Sequence, residues 1–159
     1  MDDPRKVLIA IDANVFDVKD EDYARHLERF EQLIAAHRVR LLVTESVWRE
    51  VSDPNTPAAI FEKYKGLAKV NASPLTDEQI LSREATYRVL TGRGQKYRHS
   101  NDAHIVSDAA EADARYLLTE DQRLLNKEAE LRVIYPKLRL RSLGEFLKLW
   151  DEFERGLRT

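Results

Sequence analysis

Lys6–Asn14, KVLIAIDAN, is the stretch on which the fold turns: a short apolar run that ends in an acid and, two residues on, an amide. Val7, Leu8, Ile9 and Ile11 show no polar alternation, which suits a strand covered on both faces inside a parallel sheet. Asp12 then falls where that strand stops. In open α/β sheets the crevice beyond the carboxyl ends of the strands is where ligands bind, so an acid there is placed for chemistry. The plainer role for Asp12 or Asn14 is to cap a following helix. Three further acids in comparable places tip the balance toward chemistry.

Bulk properties narrow the classes. A length of 159 residues suits one domain, spanning 1–159, with a core large enough to fold without staples. There are no cysteines, which excludes disulfides, thiolate chemistry and Cys-based zinc sites. The opening MDDPRK is charged, and the apolar run after it is too short for a signal-peptide core or a membrane span. The expectation is a soluble cytoplasmic chain with no membrane partner. Net charge is -2, so attraction to nucleic acid must come from a local basic patch.

Outward from the first strand, Tyr23, Leu27, Phe30 and Ile34 step along one helical face between Asp20 and His37. Val39–Val43 (VRLLV) is a second β-like run, so strand, helix and strand imply a right-handed crossover and a parallel pair. TESVWREVSDP predicts a short helix in which Val47, Glu50 and Val51 share a face, with Glu45 elsewhere on the turn. A carboxylate on an apolar face needs a partner, an arginine or a metal, because an unpaired buried charge costs several kcal/mol.

Thr56-Pro57 starts a helix with Ile60, Phe61, Tyr64 and Leu67 on its apolar side. Asn71 to Pro74 breaks it. Thr76 and Gln79 have capping-box spacing for a helix carrying Ile80, Leu81, Ala85 and Leu90, which Gly92 and Gly94 end. A basic loop follows, where Arg93, Lys96 and Arg98 surround Tyr97. Such a mixture can hold a phosphate backbone and stack a base, though many such runs are merely solvated.

Between Ser100 and Asp121 the pattern puts Asp102, Ile105, Val106 and Ala109 on one helical stripe and His104, Asp108 and Glu111 on the other. Asp102 is therefore expected inward and Asp108 at the surface. Arg115–Leu118 is a third β-like run ending in Thr119, Glu120 and Asp121, with Thr119 in capping-box spacing to Gln122. Leu124 and Leu125 begin a short helix. Leu138–Arg141 reads as an edge strand with basic residues facing out, and Ser142 with Glu145 caps a last helix bearing Phe146, Leu149, Trp150 and Phe153. Trp48 and Trp150 read as packing residues. The four histidines have no metal-ligand spacing.

Asp12, Glu50, Asp102 and Asp121 thus come from distant parts of the chain to strand ends or inward helix starts. Four carboxylates in one crevice repel, and their pKa values rise unless cations neutralise them. Hard divalent ions take oxygen ligands, and Mg2+ keeps several waters while accepting few carboxylates. Such a site suits phosphodiester hydrolysis. No Gly-rich phosphate loop is present, which argues against a nucleotide-fuelled enzyme or a dinucleotide-binding dehydrogenase.

Over most of its length the chain also resembles the PIN-domain ribonucleases. The resemblance rests on IDANVF with Asp12 and Asn14, VTESVWREV with Glu50, NDAHIVSDAAEADARYLLTED with Asp102, and the T-x-D ending with Thr119 and Asp121. It implies a three-layer α/β/α fold around a mostly parallel five-stranded sheet, and a Mg2+- or Mn2+-dependent endonuclease acting on RNA. It also implies that Asp12, Asp102 and Asp121 bind the metal, with Glu50 binding directly or through water, while Asn14 and Thr119 orient them. Arg93, Lys96 and Arg98 are the expected substrate contacts. Many small bacterial members are VapC-type toxins held by an antitoxin, and small PIN domains commonly pair, so an antitoxin-like partner and a homodimer belong to the same implication.

Two other classes are consistent with parts of the pattern. A PIN-like domain that has become an inactive RNA- or protein-binding scaffold is expected to lack one of the four acids, and none is missing. A receiver-type phosphotransfer domain needs an adjacent acidic pair after its first strand, whereas Asp12 is followed by Ala13.

Overall fold

The computed structural model describes residues 1–70, 73–92 and 100–158. Its first strand, β1 (Leu8–Ile11), lies in the interior: Ile9 and Ile11 are wholly buried and Ala10 nearly so. Removing such side chains from water contributes about 1.5–3 kcal/mol for each large aliphatic one, which is why an apolar run without alternation ends up central. β2 (Arg40–Leu42), β3 (Tyr116–Leu118) and β4 (Arg139–Arg141) complete a sheet of order β2-β1-β3-β4, with every pairing parallel.

The sheet has four strands among the described residues, one fewer than expected. Beyond β2, Val43 makes a single parallel bridge to Lys69, through Val43 N–H to the Ala68 carbonyl (2.8 Å) and Val70 N–H to the Val43 carbonyl (3.1 Å). Ala68, Lys69 and Val70 are all exposed. With no apolar face to bury, this segment gains nothing from longer pairing.

α1 (Glu21–Ala35) follows β1 and is started by Asp20, whose side chain accepts from Tyr23 N–H at 2.8 Å. Tyr23, Leu27, Phe30 and Leu33 are its buried residues, and Ile34 is only half-buried. α2 (Glu45–Val51) and α3 (Ala58–Lys65) come after β2, and Tyr64 of α3 is completely enclosed. α4 (Asp77–Thr91) opens with the Thr76/Gln79 capping box and stops at Gly92, whose φ of 61° favours a residue without Cβ. Its inner face departs from expectation. Ile80 and Leu81 are 43% and 64% exposed, whereas Thr86 and Thr91 are buried. Each threonine hydroxyl donates back to the carbonyl four residues earlier, Ser82 and Tyr87, at 2.7 Å, which satisfies it in the interior.

α5 (Ser100–Glu111) precedes β3; α6 (Gln122–Leu125) and α7 (Glu128–Ile134) lie between β3 and β4. α8 (Leu143–Glu154) carries the Ser142/Glu145 capping box and buries Phe146, Leu149, Trp150 and Phe153. It packs on α1, with Phe146 edge-on to Phe30 (6.0 Å) and to Tyr116 of β3 (6.1 Å). α5 packs on α2 and α4, and α4 also meets α7. Trp150 is fully buried, and Trp48 packs on Phe61 with the Lys69 ammonium 4.3 Å over its ring, so both serve packing.

At the outer strand the basic residues do not face freely outward. Glu128 Oε2 accepts from Leu140 N–H at 2.7 Å and from Arg141 Nη1 at 2.6 Å, and the same Arg141 nitrogen donates to the Leu140 carbonyl at 2.6 Å. No helix among the described residues is long and apolar enough to cross a membrane.

Candidate functional site

Asp12 and Thr119 sit side by side because the parallel ladder continues one residue past β1 and β3. Asp12 N–H donates to the Leu118 carbonyl (2.8 Å), and Thr119 N–H to that of Arg141 (3.0 Å). The Asp12 side chain is enclosed there, with 4% of the residue exposed. Its Oδ1 accepts from Ala13 N–H at 2.6 Å and its Oδ2 from the Thr119 hydroxyl at 2.7 Å, both neutral donors. Burial pushes its carboxyl up to about 7; the Thr119 and Ala13 hydrogen bonds oppose the rise, and the charges of Glu50 and Asp102 add to it.

Thr119 is wholly buried and serves several partners at once. Besides donating to Asp12, its oxygen receives Asp121 N–H (3.2 Å) and Asn14 Nδ2 (3.4 Å). Asn14 Oδ1 in turn accepts from Glu120 N–H at 3.1 Å. Asn14 therefore braces the two strand ends against each other. Below them the Tyr64 hydroxyl donates to the Asp12 carbonyl, and burial, followed by the Asp12 charge, pushes this phenol up. Tyr64 was legible in the sequence only as an apolar helix residue; a phenol on an otherwise apolar face was the available signal.

Glu50 lies elsewhere than the helical pattern suggests. Val47 and Val51 are buried, but Glu50 is exposed at the end of α2. It sits about 100° around the helix from Val51, far enough in a two-turn helix to swing off the packed seam. Its hydrogen-bond partner is the Asn101 carboxamide, which donates to Oε2 at 2.5 Å. Partial burial raises its carboxyl, the Asn101 hydrogen bond opposes this, and the Asp102 charge adds to the rise. Asp102 is half-buried in the first turn of α5. Asp12, Glu50 and Asp102 thus share one electrostatic field.

Asp121 is joined to them less directly. Its N–H reaches Thr119, but its carboxylate caps α6, with Oδ1 accepting from Arg123 N–H at 3.0 Å and forming a looser ion pair with the Arg123 Nε at 3.8 Å. The capping role expected of Thr119 falls to Asp121. Among the described residues, no group of three or more histidine, aspartate or glutamate side chains is arranged to hold a metal ion. The donor chemistry nevertheless fits a hard divalent cation: oxygen atoms only, with a buried carboxylate that has only neutral donors. Arg93, Lys96 and Arg98 lie outside the described residues.

Asp108 corrects the surface assignment. Its Oδ2 accepts from Ser46 N–H in the first turn of α2 (3.1 Å), and its Oδ1 pairs with Arg83 Nη2 of α4 (2.5 Å). Arg83 also holds Glu111 at 2.6 Å and lies 3.1 Å from His104 Nδ1. The polar stripe of α5 is therefore an internal contact that fixes α2, and with it Glu50, relative to the helix carrying Asp102. An arginine on the neighbouring helix was the signal that could have revealed it. Set against known proteins, the chain matches no family model and no curated protein sequence.

Proposed function

We propose that this chain is a divalent-metal-dependent endoribonuclease of the PIN type, hydrolysing RNA phosphodiester bonds at the carboxyl end of its parallel sheet. The observation that supports this most is Asp12, a carboxylate 4% exposed, held by neutral donors and pushed up to about 7 in the field of two further acids. Ionising such a group at neutral pH is costly unless a cation is supplied from outside the chain.

In this reading Asp12, Glu50 and Asp102 would hold Mg2+ or Mn2+, with Asp121 contributing from the α6 cap. When bound, the ion supplies Lewis acidity toward water and the phosphate oxygens. The chain's own residues do the positioning. Thr119 fixes the Asp12 carboxylate by its hydroxyl, Asn14 ties Thr119 to the Glu120 backbone, and Asn101 steadies Glu50. Arg93, Lys96 and Arg98 would contact RNA phosphates. The three-layer arrangement, the cytoplasmic location, an antitoxin-like partner and a homodimer belong to the same proposal.

A catalytically inactive PIN-like scaffold is the second reading, favoured by the commitment of Asp121 to its helix cap. Purified chain incubated with single-stranded RNA, with Mn2+ or with EDTA, separates the two. Cleavage that needs Mn2+ and disappears in Asp12→Asn and Asp102→Asn is expected; cleavage surviving in both variants rejects the mechanism, and no cleavage by the parent favours the scaffold.

A further inference from the structure

We infer that the cleft between α1 and α8 is a track for the backbone of a single-stranded RNA on one side of the scissile bond, an inference that rests on the nuclease reading. The cleft has a volume of about 550 Å³, and its walls carry Arg25, Arg29, Lys148 and Arg155 against Asp151 and Glu152. Four cations face two acids there, on a chain whose net charge is -2. A local positive strip on an acidic protein is the footprint that a polyanion requires.

Not all four cations are equally available. Arg29 is held by Asp151, with Nη1 2.6 Å from Oδ2, so it builds the wall. Arg25 pairs with Asp22 of its own helix, but the two side chains are 68% and 79% exposed, and a pair so wet yields readily to a phosphate. Lys148 and Arg155 make no salt bridge among the described residues, and both are exposed. They stand seven positions apart, Lys148 within α8 and Arg155 at its C-cap, and therefore along one stripe. A line of cations at helical repeats follows a chain that is charged at every repeat, and the exposed Leu157 supplies apolar surface for sugars and base edges.

The cleft also leads to the acids. At its upper end α1 and α8 approach so closely that a Cβ on Gly144 would lie 3.3 Å from His26 Nε2. The adjoining Leu143 N–H is held by Glu120 Oε2 at 2.8 Å, and Glu120 precedes Asp121. The Gly144 end of the groove therefore adjoins the turn that carries Asp121, and a strand leaving the carboxylates would enter the groove there. Its charge pattern and its continuity with the acidic pocket select a nucleic acid over an acidic protein segment.

The test uses the full chain and a fluorescein-labelled oligouridylate, with binding read by anisotropy in EDTA at several salt concentrations. The double variant Lys148→Glu/Arg155→Glu is expected to bind about tenfold or more weakly and to flatten the log-log salt slope by about 1.4, at roughly 0.7 per phosphate contact. Its melting temperature should fall by no more than a few degrees, because both side chains are exposed and the cost is confined to the lost attraction of Arg155 for Asp151 and for the end of α8. Unchanged affinity and slope, or a parent that does not bind the probe, overturn the track. Displacement of the probe by polyglutamate at equal charge overturns it in favour of an acidic protein partner. The nuclease reading fails separately: it is lost if the parent binds the probe through these residues yet cuts no RNA in Mn2+, whereas the track is lost if cleavage depends on Asp12 but affinity ignores the reversals.

Discussion

The Thr119 hydroxyl donates to Asp12 Oδ2 at 2.7 Å and so joins two residues 107 positions apart at the ends of neighbouring strands. A hydrogen bond contributes about 0.5–1.5 kcal/mol to a neutral acceptor and about 1.5–3 kcal/mol to a charged one, and Asp12, pushed up to about 7, is near half-ionised at neutral pH. Thr119→Val should therefore lose about that much stability in urea unfolding at neutral pH, while Thr119→Ser should stay near the parent. A loss in Thr119→Ser with none in Thr119→Val would mean that the methyl, not the hydroxyl, matters.

Asp12 should also make stability depend on pH in an unusual direction. Its folded-state value of about 7 lies above the ordinary 3.8, so the folded chain keeps a proton that the unfolded chain has released. The contribution is most favourable below about pH 4 and declines as pH rises through the interval to 7. Asp12→Asn removes that decline. In EDTA the variant should gain on the parent across this window, by an amount on the order of a few kcal/mol at its upper end. A parent-to-variant gap that stays constant with pH would mean that the carboxylate is not held at a cost.

Metal binding, under the nuclease reading, relieves that cost. Mn2+ should raise the melting temperature of the parent, with about 2.7 kcal/mol gained at a hundredfold excess over the dissociation constant. Asp12→Asn should respond far less. Calorimetric titration with Mn2+ checks this independently of any substrate, and identical shifts in both proteins would remove Asp12 from the ligand set.

Asp108 gives a sharp contrast between pattern and contact. A surface carboxylate changes stability by about 0.5 kcal/mol or less when replaced. Asp108 instead serves Ser46 N–H and Arg83 together, with side-chain exposure of 16% for Asp108 and 17% for Arg83. Asp108→Ala leaves Ser46 N–H without a partner and Arg83 with Glu111 as its one remaining carboxylate, and should cost about 1–3 kcal/mol in denaturant unfolding. A change within the surface range would show that the pair is solvated.

Strands, most helix starts and the parallel pairing of β1 with β2 were legible because each has a local physical signature. Ile9 and Ile11 are uninterrupted apolar residues, and Thr76, Ser142 and Asp20 are short side chains able to accept from a first-turn N–H. What periodicity could not supply was long-range partnering. Helical spacing places a residue on a face but does not say what that face meets, so Asp108 looked free and Glu50 looked enclosed. Ile80 and Leu81 failed for the opposite reason: their apolar character suits the core, but Thr86 and Thr91 occupy it by satisfying their hydroxyls within the helix. At the candidate site, the placement of Asp12 beside Thr119 followed from strand ends, while the capping duty of Asp121 depended on how tightly α6 turns after it.

The outermost strand leaves one more property behind. Leu140 is the position where bare amide and carbonyl groups would invite a second molecule to stack on, the first step toward fibrils. Glu128 and Arg141, locked to each other, fill both its N–H and its C=O. An incoming chain finds no hydrogen-bonding vacancy there, and Glu128→Ala should lower the concentration at which the protein begins to self-associate.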